Sequence, residues 1–433
     1  MTKRFPPRWT HRWLHWVVGV MVVAAFLVTL PEHEERVDEP AFRTDYVSGH
    51  DNLDGRWQMR FASDAETPLV HAASMVELPD GRLRAFWFAG SAEGAEDVGI
   101  HSAVFDPRRS RWSEEERVVT REQIRLQWGR HVRKLGNAVP VLDDDGRMRL
   151  FVVAVSFGGW AASRLVVMDS HDLGATWSFD EALTTSPFLN ISTLVKTPPI
   201  HYQDGTVGLP VYHEMVGKFG EILRLDRNNH IVDKERIGHG RKAIQPLVLV
   251  DGPKRATALL RNESEDDQGR LYRSDTGDGG NDWTPLYGSK LINPSAAVGG
   301  VVLSPGHWLV VANCNAYERD DLCVHETFDS GHTWTDRLFF HNREAWREGR
   351  VEETAFLGMI DEEVADTLNA ENPALLRRRV DHNKCAHDGC EFQYDYPYVL
   401  QASNGDVHIL YTWNKTAIRH AWLPAGDGQG DKG

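Results

Sequence analysis

SHDLGATW at residues 170–177, TGDGGNDW at 276–283 and TFDSGHTW at 327–334 are three copies of one pattern, Ser/Thr-x-Asp-x-Gly-x-x-Trp. In each copy the aspartate is placed to accept hydrogen bonds from the backbone amides of its own turn. The glycine permits a positive φ, and the tryptophan can bury itself between neighbouring sheets. The pattern therefore predicts a structural element that joins a hairpin turn to its packing partner. The aspartates of the three copies are Asp172, Asp278 and Asp329.

The spacing of the copies indicates a repeat of about fifty residues. From Trp177 to Trp283 is 106 residues and from Trp283 to Trp334 is 51, as if one copy near 225–229 had decayed. A further degenerate copy lies at 105–112. Short strands and tight turns repeating at this length are typical of propeller blades. We predict an all-β fold, a six-bladed β-propeller.

The chain divides into segments of different character. Helix-like stretches between about 342 and 379 predict a short helical insertion in the last blade. The glycine-rich polar end is expected to be disordered. The predicted segments are a basic cytoplasmic segment (1–12), a transmembrane helix (13–30), a linker (31–60), the propeller (61–425) with its insertion at about 342–390, and the disordered tail (426–433).

The first thirty residues have the pattern of a membrane segment. Basic residues up to Arg12 precede an apolar run from Trp13 to Leu30, which as a helix spans roughly 27 Å. Acidic residues follow at once, and the positive-inside rule then places the N-terminus in the cytoplasm. We predict a single-pass anchor in the inner membrane with the propeller in the periplasm. A cleaved signal peptide is the alternative.

Charge and cysteine content narrow the classes of partner. The formal net charge of −15 repels polyanions, so nucleic acid is not an expected partner. The four cysteines fall into two close pairs, Cys314 with Cys323 and Cys385 with Cys390, which predict two disulfides outside the cytosol. Zinc bound by Cys385, Cys390 and the nearby His382 and His387 is the alternative, although we expect no metal. No phosphate loop or dinucleotide fingerprint is present, so no cofactor is expected.

The repeated pattern resembles the Asp-box of sialidases and their relatives. Further similar stretches extend the resemblance over roughly residues 65–422: HAASMVELPDG (71–81), GSAEGAEDV (90–98), GGWAAS (158–163), SPFLNIS (186–192), LPVYHE (209–214) and YDYPY (394–398). Together they look like the sialidase-like subunit of bacterial Kdo hydrolases. That resemblance implies removal of an outer Kdo sugar from lipopolysaccharide, and a second, small membrane subunit as partner.

The resemblance also implies a site for a 2-keto-3-deoxy sugar acid, which carries a carboxylate on its anomeric carbon. Guanidinium groups hold such a carboxylate, and sialidases attack with a tyrosine because a neutral nucleophile is not repelled by it. Arg261 and Arg319 match two of the three sialidase arginines, and Tyr396 matches the nucleophile. The first arginine is replaced by His71, and the glutamate that polarises the tyrosine by Gln245.

Other groups are candidates to complete the chemistry. We expect Glu93, with Asp97 second, to be the acid/base, and Glu214 to act on Tyr396 in place of the missing glutamate. His71 is expected to help the two arginines hold the substrate carboxylate. The candidates for other substrate contacts are Gln245, His213, Lys134 and Lys196. As alternatives, the lysines are solvated surface charges, and His213 and Glu214 form a buried hydrogen-bonded pair.

The main hypothesis is an exo-glycosidase that removes a terminal Kdo or sialic acid from a membrane glycolipid such as lipopolysaccharide. The alternatives are an exo-sialidase on sialoglycans, and a non-catalytic glycan-binding or assembly propeller in envelope biosynthesis. The two enzyme hypotheses require Arg261 and Arg319 to meet near the propeller axis.

Overall fold

A computed structural model gives the conformation of residues 9–29, 40–47, 55–186, 192–215, 217–240, 242–264, 269–341 and 350–425. In this part of the chain the strands form six antiparallel sheets of four or five strands each, and neighbouring innermost strands contact one another in a ring. The predicted six-bladed β-propeller is confirmed. The predicted tail at 426–433 lies outside the described residues.

The strands follow one another through the blades in chain order. The first strand is β1 (Gln58–Phe61). Blade 1 contains β2 (Leu69–Glu77), β3 (Leu83–Gly90), β4 (Gly99–Asp106), β5 (Arg111–Trp112) and β6 (Glu116–Thr120). Blade 2 contains β7 (Lys134–Leu142), β8 (Met148–Val155), β9 (Ser163–Ser170) and β10 (Ser178–Ala182). Blade 3 contains β11 (Leu194–Val195), β12 (Ile200–His201), β13 (Val207–His213), β14 (Phe219–Leu225) and β15 (Ile231–Arg236).

The remaining blades repeat the arrangement. Blade 4 contains β16 (Ala243–Val250), β17 (Ala256–Asn262), β18 (Gly269–Thr276) and β19 (Tyr287–Asn293). Blade 5 contains β20 (Gly299–Ser304), β21 (His307–Ala312), β22 (Leu322–Thr327) and β23 (Thr335–His341). A separate two-stranded hairpin, β24 (Cys385–Ala386) and β25 (Gly389–Cys390), precedes blade 6. Blade 6 contains β26 (Tyr394–Gln401), β27 (Val407–Trp413) and β28 (Ala417–Leu423), with β1 as its outermost strand. The helices are α1 (Trp9–Thr29), α2 (Arg121–Trp128), α3 (Glu353–Ala365) and α4 (Pro373–Lys384).

The pairing of β1 with β28 closes the ring. Phe61 pairs with Arg419 in an antiparallel register, so both ends of the propeller chain share one sheet. Closure in this way protects the strand edges that an open array of blades would expose.

The Asp-box turns have the predicted structural role. Each copy lies between the third and fourth strands of its blade, in blades 2, 4 and 5. Asp172 accepts hydrogen bonds from the Thr176 amide (2.8 Å) and hydroxyl (2.6 Å), and these hydrogen bonds lower its pKa to about 2. The indole of Trp177 donates to the carbonyl of Gly174, whose φ of 88° favours glycine. The decayed copies predicted at 105–112 and 225–229 occupy the same turn in blades 1 and 3.

The predicted membrane segment requires correction. A helix that crosses the hydrocarbon core needs about 20 consecutive apolar residues, and no helix among the described residues is long and apolar enough to do so. The structure therefore does not support the single-pass anchor predicted at 13–30, and the inner-membrane location that rested on it is wrong.

The helical insertion is present, but it lies between blades 5 and 6 rather than within the last blade as predicted. Helices α3 and α4 and the β24–β25 hairpin follow β23 of blade 5 and precede β26 of blade 6, so they form the connection between the two blades. Residues 342–349 of the predicted insertion lie outside the described part. Disulfides join Cys385 to Cys390 across the hairpin and Cys314 to Cys323 in blade 5. Among the described residues no cluster of three potential metal ligands occurs, so the zinc alternative gains no support.

A buried carboxylate fixes the insertion to blade 6. Glu363 of α3 is only 9% exposed and accepts hydrogen bonds from the Tyr394 hydroxyl and the Trp413 indole, each at 2.7 Å. Arg419 lies 3.5 Å from the same carboxylate. Helix α3 is therefore tied to the innermost strand that also carries Tyr396.

We expect Glu363→Ala to lower the free energy of unfolding by about 3–5 kcal/mol, because it leaves the buried Arg419 without its anionic partner. Urea denaturation followed by tryptophan fluorescence measures the change. Asp361→Ala, on the same helix as Glu363, removes an exposed pair with Arg377 of α4; it is the control and should cost less than about 1 kcal/mol. Equal costs for both variants would contradict the proposed anchoring.

Two histidines of blade 6 are buried in the neutral state. His408 and His420 contact each other at 3.0 Å, and the Trp112 indole donates to His420. Burial lowers the pKa of His408 to about 3 and that of His420 well below its usual value. In the unfolded chain both titrate near pH 6.5.

Stability should therefore fall as the pH drops below about 6.5, because protons bind the unfolded histidines and not the folded ones. At pH 5 each such histidine lowers the free energy of unfolding by about 2 kcal/mol relative to pH 8. His408→Gln should reduce the loss of unfolding free energy between pH 8 and pH 5 by about 2 kcal/mol, the contribution of one histidine. Denaturation at both pH values measures the change. The exposed His171→Gln serves as control, and an unchanged slope in His408→Gln would show that His408 titrates normally in the fold.

Candidate active site

The innermost strands are kinked where they reach one face of the propeller. Strands β2, β16 and β26 each contain a register shift, and there the backbone of Ala72, Gln245 and Tyr396 has φ values of 59°, 54° and 55°. Positive φ is uncommon for residues other than glycine and is sustained only where the surroundings impose it. Such bulges re-aim side chains. The two largest of these three side chains, Gln245 and Tyr396, are thereby brought into hydrogen-bond contact.

The kinked strands border a cavity of about 170 Å³. Its walls come from blades 1, 2, 3, 4 and 6. The lining residues are His71, Phe88, Glu93, Asn137, Val153, Trp160, Leu194, Tyr212, Glu214, Arg261 and Tyr396.

Five of the predicted site residues line this cavity, and the others do not. The five are His71, Glu93, Glu214, Arg261 and Tyr396. The predicted residues outside the lining are Asp97, Lys134, Lys196, His213, Gln245 and Arg319. The structure thus brings together the proposed nucleophile, one guanidinium and both glutamates, while their catalytic roles stay predictions.

The hydroxyl of Tyr396 accepts a hydrogen bond from an amide. Gln245 Nε2 lies 2.9 Å from the Tyr396 hydroxyl and 3.3 Å from that of Tyr212. Burial raises the pKa of Tyr396, against the opposing influence of Arg261 and of the Gln245 hydrogen bond. Glu214 was expected to act on Tyr396, but the hydrogen-bond partner of the Tyr396 hydroxyl is Gln245. The backbone N–H of Glu214 donates to Ser192 Oγ (2.7 Å).

The pKa values of the two cavity glutamates are shifted in opposite directions. Burial raises the pKa of Glu214, although Lys218 and Arg261 oppose the shift. Burial would also raise the pKa of Glu93, but His71 and Lys415 outweigh it and the pKa is lowered. The Lys415 ammonium lies 3.0 Å from Glu93. Glu214 is therefore the better proton donor of the pair, and Glu93 the better anion.

The two matched arginines lie on the same face and meet at one residue. Arg261 donates to Ser295 Oγ (3.2 Å), and Arg319 donates to the Ser295 carbonyl (2.9 Å). Each also has a carboxylate partner, Glu263 at 2.6 Å for Arg261 and the fully buried Asp395 at 3.0 Å for Arg319. The two guanidiniums thus approach the same residue and both are paired with anions, but only Arg261 lines the cavity.

The remaining predicted contacts serve other interactions. Asp97 closes its own loop through Ser91, with hydrogen bonds of 3.0 and 2.9 Å. The Lys134 ammonium lies over the Trp160 ring, 3.7 Å from its centroid. His213 is paired with Glu221, and not with Glu214 as the alternative interpretation of the sequence expected.

Lys196 is buried at the axis rather than exposed. Its ammonium donates to the Pro397 carbonyl, and its pKa is lowered to about 7 by burial. It therefore joins blade 3 to blade 6 beneath Tyr396 and is not among the residues that line the cavity.

Sequence reasoning missed several lining residues. Tyr212 lies within the stretch LPVYHE, two residues before the predicted Glu214, but was not itself proposed. Asn137 and Trp160 come from blade 2, where no candidate except Lys134 was proposed. Only the closed ring shows that these side chains face the same cavity.

Comparison with known proteins identifies the type of propeller. The family model described as BNR repeat-like domain matches residues 81–409. Among curated proteins none matches the sequence. A Hadza microbial sialidase superposes with a TM-score of 0.60 at 15% identity, covering 84% of this chain and 67% of that one.

Two further solved structures share the fold. The NanB sialidase from Streptococcus pneumoniae superposes with a TM-score of 0.57 at 10% identity, covering 88% of this chain and 70% of that one. The intramolecular trans-sialidase from Ruminococcus gnavus gives 0.52 at 10% identity, with coverage of 84% and 96%. At these identities the likeness concerns the fold. Because the family model spans most of its length, this chain belongs to the BNR repeat-like family, and its fold is the sialidase-type propeller.

Proposed function

We propose that this protein is a glycoside hydrolase that removes a terminal 2-keto-3-deoxy sugar acid from a glycolipid such as lipopolysaccharide. Kdo is the sugar acid that we propose as its main substrate. The observation that carries the proposal is the meeting of Tyr396, Arg261, Glu93 and Glu214 from four blades in one cavity. The second, small subunit that the Kdo hydrolase resemblance implies stays a prediction.

The groups in the cavity suit this reaction. Positive charge develops at the anomeric carbon, and a tyrosine hydroxyl can attack it without being repelled by the substrate carboxylate. Arg261 offers a guanidinium for that carboxylate. Glu214, with its raised pKa, supplies the proton for the departing oxygen. This reverses the roles expected from the sequence, in which Glu93 was the acid.

Exo-sialidase activity on sialoglycans is the alternative within the same reaction class, because sialic acid and Kdo are both 2-keto-3-deoxy sugar acids with a carboxylate on the anomeric carbon.

The assay uses the full chain with Kdo-terminated lipopolysaccharide oligosaccharide and, separately, with sialyl-lactose, and measures the free sugar acid. We expect Tyr396→Phe to lower kcat by about 10³-fold or more, because the nucleophilic oxygen is lost. Tyr398→Phe, on the same strand but outside the cavity lining, is the control and should keep wild-type activity. Equal release by wild type and Tyr396→Phe would remove Tyr396 from the mechanism.

The assignment of the acid is tested with two leaving groups. Glu214→Gln should lower kcat by about 10²–10⁴-fold on an alkyl glycoside of the sugar acid, and far less on a 4-methylumbelliferyl glycoside, whose phenolic oxygen needs little protonation to leave. Glu93→Gln is the matched control and should show no such dependence on the leaving group. If Glu93→Gln shows the dependence and Glu214→Gln does not, the roles first expected from the sequence are the right ones.

A non-catalytic glycan-binding propeller is the second candidate, and one observation favours it. The partner of the Tyr396 hydroxyl is the Gln245 amide rather than a carboxylate. For this function, calorimetry would detect binding of the sugar acid by wild type and Tyr396→Phe alike, with no product released by either.

A further inference from the structure

The hydroxyl of Tyr396 has an amide as its hydrogen-bond partner, and an amide does not accept the proton that an attacking tyrosine must lose. A tyrosine that forms a bond to carbon must lose its hydroxyl proton, and the side chain of Gln245 cannot take it up. Another group within reach of Tyr396 has to accept the proton if Tyr396 attacks.

His71 is packed against Tyr396 and lines the same cavity. The centroids of the two rings are 4.3 Å apart, and His71 is 5% exposed. Its Nδ1 lies 3.0 Å from Thr412 Oγ1 and 3.6 Å from Asp395 Oδ1. With Nδ1 turned towards blade 6, Nε2 is the ring nitrogen left for the cavity.

The surroundings select one tautomer of this histidine. Asp395 is fully buried, and its Oδ1 has no hydrogen bond in the described part of the chain. His71 Nδ1 lies 3.6 Å from that oxygen, so the carboxylate favours a proton on Nδ1 and would repel a lone pair there. The backbone N–H of Ala72 holds Thr412 Oγ1 in place at 3.1 Å. Nε2 is then unprotonated and able to accept a proton.

We propose that His71 is the catalytic base that accepts the Tyr396 proton, and that Asp395 is the positioning residue that keeps the His71 proton on Nδ1. The inference rests on the proposed function, in which Tyr396 is the nucleophile. It also changes the role of His71, because an unprotonated nitrogen facing the cavity does not attract the substrate carboxylate that this residue was expected to hold.

The reaction balances in two steps. In the first, the Tyr396 oxygen bonds to the anomeric carbon, its proton passes to His71 Nε2, and the bond to the glycosidic oxygen breaks as Glu214 gives that oxygen a proton. In the second, water attacks the anomeric carbon and returns a proton to Glu214. The bond to Tyr396 breaks, and His71 gives its proton back to the phenol oxygen. The anomeric configuration is retained over the two displacements.

Burial keeps His71 neutral at ordinary pH. Burial lowers its pKa to about 4; Asp395 and Glu93 oppose that shift, while Lys415 and Arg319 add to it. The base form is therefore present above about pH 4.

Chemical rescue tests the inference. We expect His71→Ala to lower kcat by about 10²–10⁴-fold, and added imidazole to restore activity in a saturable way by occupying the space of the lost ring. His101→Ala, which removes a histidine paired with Glu115 outside the cavity lining, is the matched control and should respond to neither change. Full activity of His71→Ala, or a loss that imidazole does not restore while Tyr396→Phe is inactive, would overturn the role of His71 and leave the proposed function standing. Equal activity of Tyr396→Phe and wild type would instead overturn the proposed function.

The positioning role of Asp395 has its own readout. Asp395→Asn should lower kcat with little change in KM, and move the acidic limb of kcat/KM, expected near pH 4 in the wild type, to lower pH because the anion that raises the pKa of His71 is gone. An acidic limb that stays in place would contradict the role.

Because Asp395→Asn also alters the Arg319 pair, the tautomer is measured independently in the unaltered protein. Long-range ¹H–¹⁵N correlation spectra of histidine-labelled protein, with His71→Gln to assign the signal, should show an unprotonated Nε2 at pH 7. A proton on Nε2 would overturn the inference without any activity measurement.

Discussion

The contact between the first and last blades is the constraint on which the site depends. His71 of blade 1 meets Tyr396, Asp395 and Thr412 of blade 6 across this seam. The seam exists because β1 pairs with β28 and closes the ring. The two halves of the site are more than three hundred residues apart in sequence. The entropic cost of bringing them together is therefore offset by the interactions of the whole propeller rather than by local structure. The ion pair between Glu93 and Lys415 spans the same seam.

Backbone strain at the axis is sustained by burial of the polar groups beside it. Tyr396 has a positive φ that a bulky residue rarely adopts, and it lies between Asp395, fully buried, and Pro397, whose carbonyl accepts from Lys196. Two residues before Tyr396, the hydroxyl of Tyr394 donates a hydrogen bond to Glu363 of the insertion. Helix α3 therefore stabilises the strand that carries the kink, which gives the insertion a positioning role without any contact with the cavity.

The fold followed from local sequence, whereas much of the site did not. The Asp-box is a short-range pattern in which each aspartate bonds to its own turn, so three copies sufficed to predict the blades and even to locate the decayed turn at Asp226. The apolar run at 13–30 matched a membrane pattern in composition, but the structure does not support a spanning helix. Residue types gave the members of the cavity, such as Tyr396 and Arg261, but the protonation states depend on burial and on neighbours distant in sequence. The opposite pKa shifts of Glu93 and Glu214 could not be predicted for that reason.

The pairing of cations with anions explains how a chain of net charge −15 could hold an acidic sugar without a strongly cationic cavity. Arg261 is paired with Glu263 and Arg319 with Asp395, so each guanidinium is oriented before any ligand arrives. A guanidinium has five N–H donors, and one carboxylate partner leaves some of them unused. In the proposed function, the absence of a third guanidinium removes attraction for the substrate carboxylate but leaves Arg261 and Arg319 oriented by their partners. On our proposal, His71 supplies at that position a neutral nitrogen that accepts a proton.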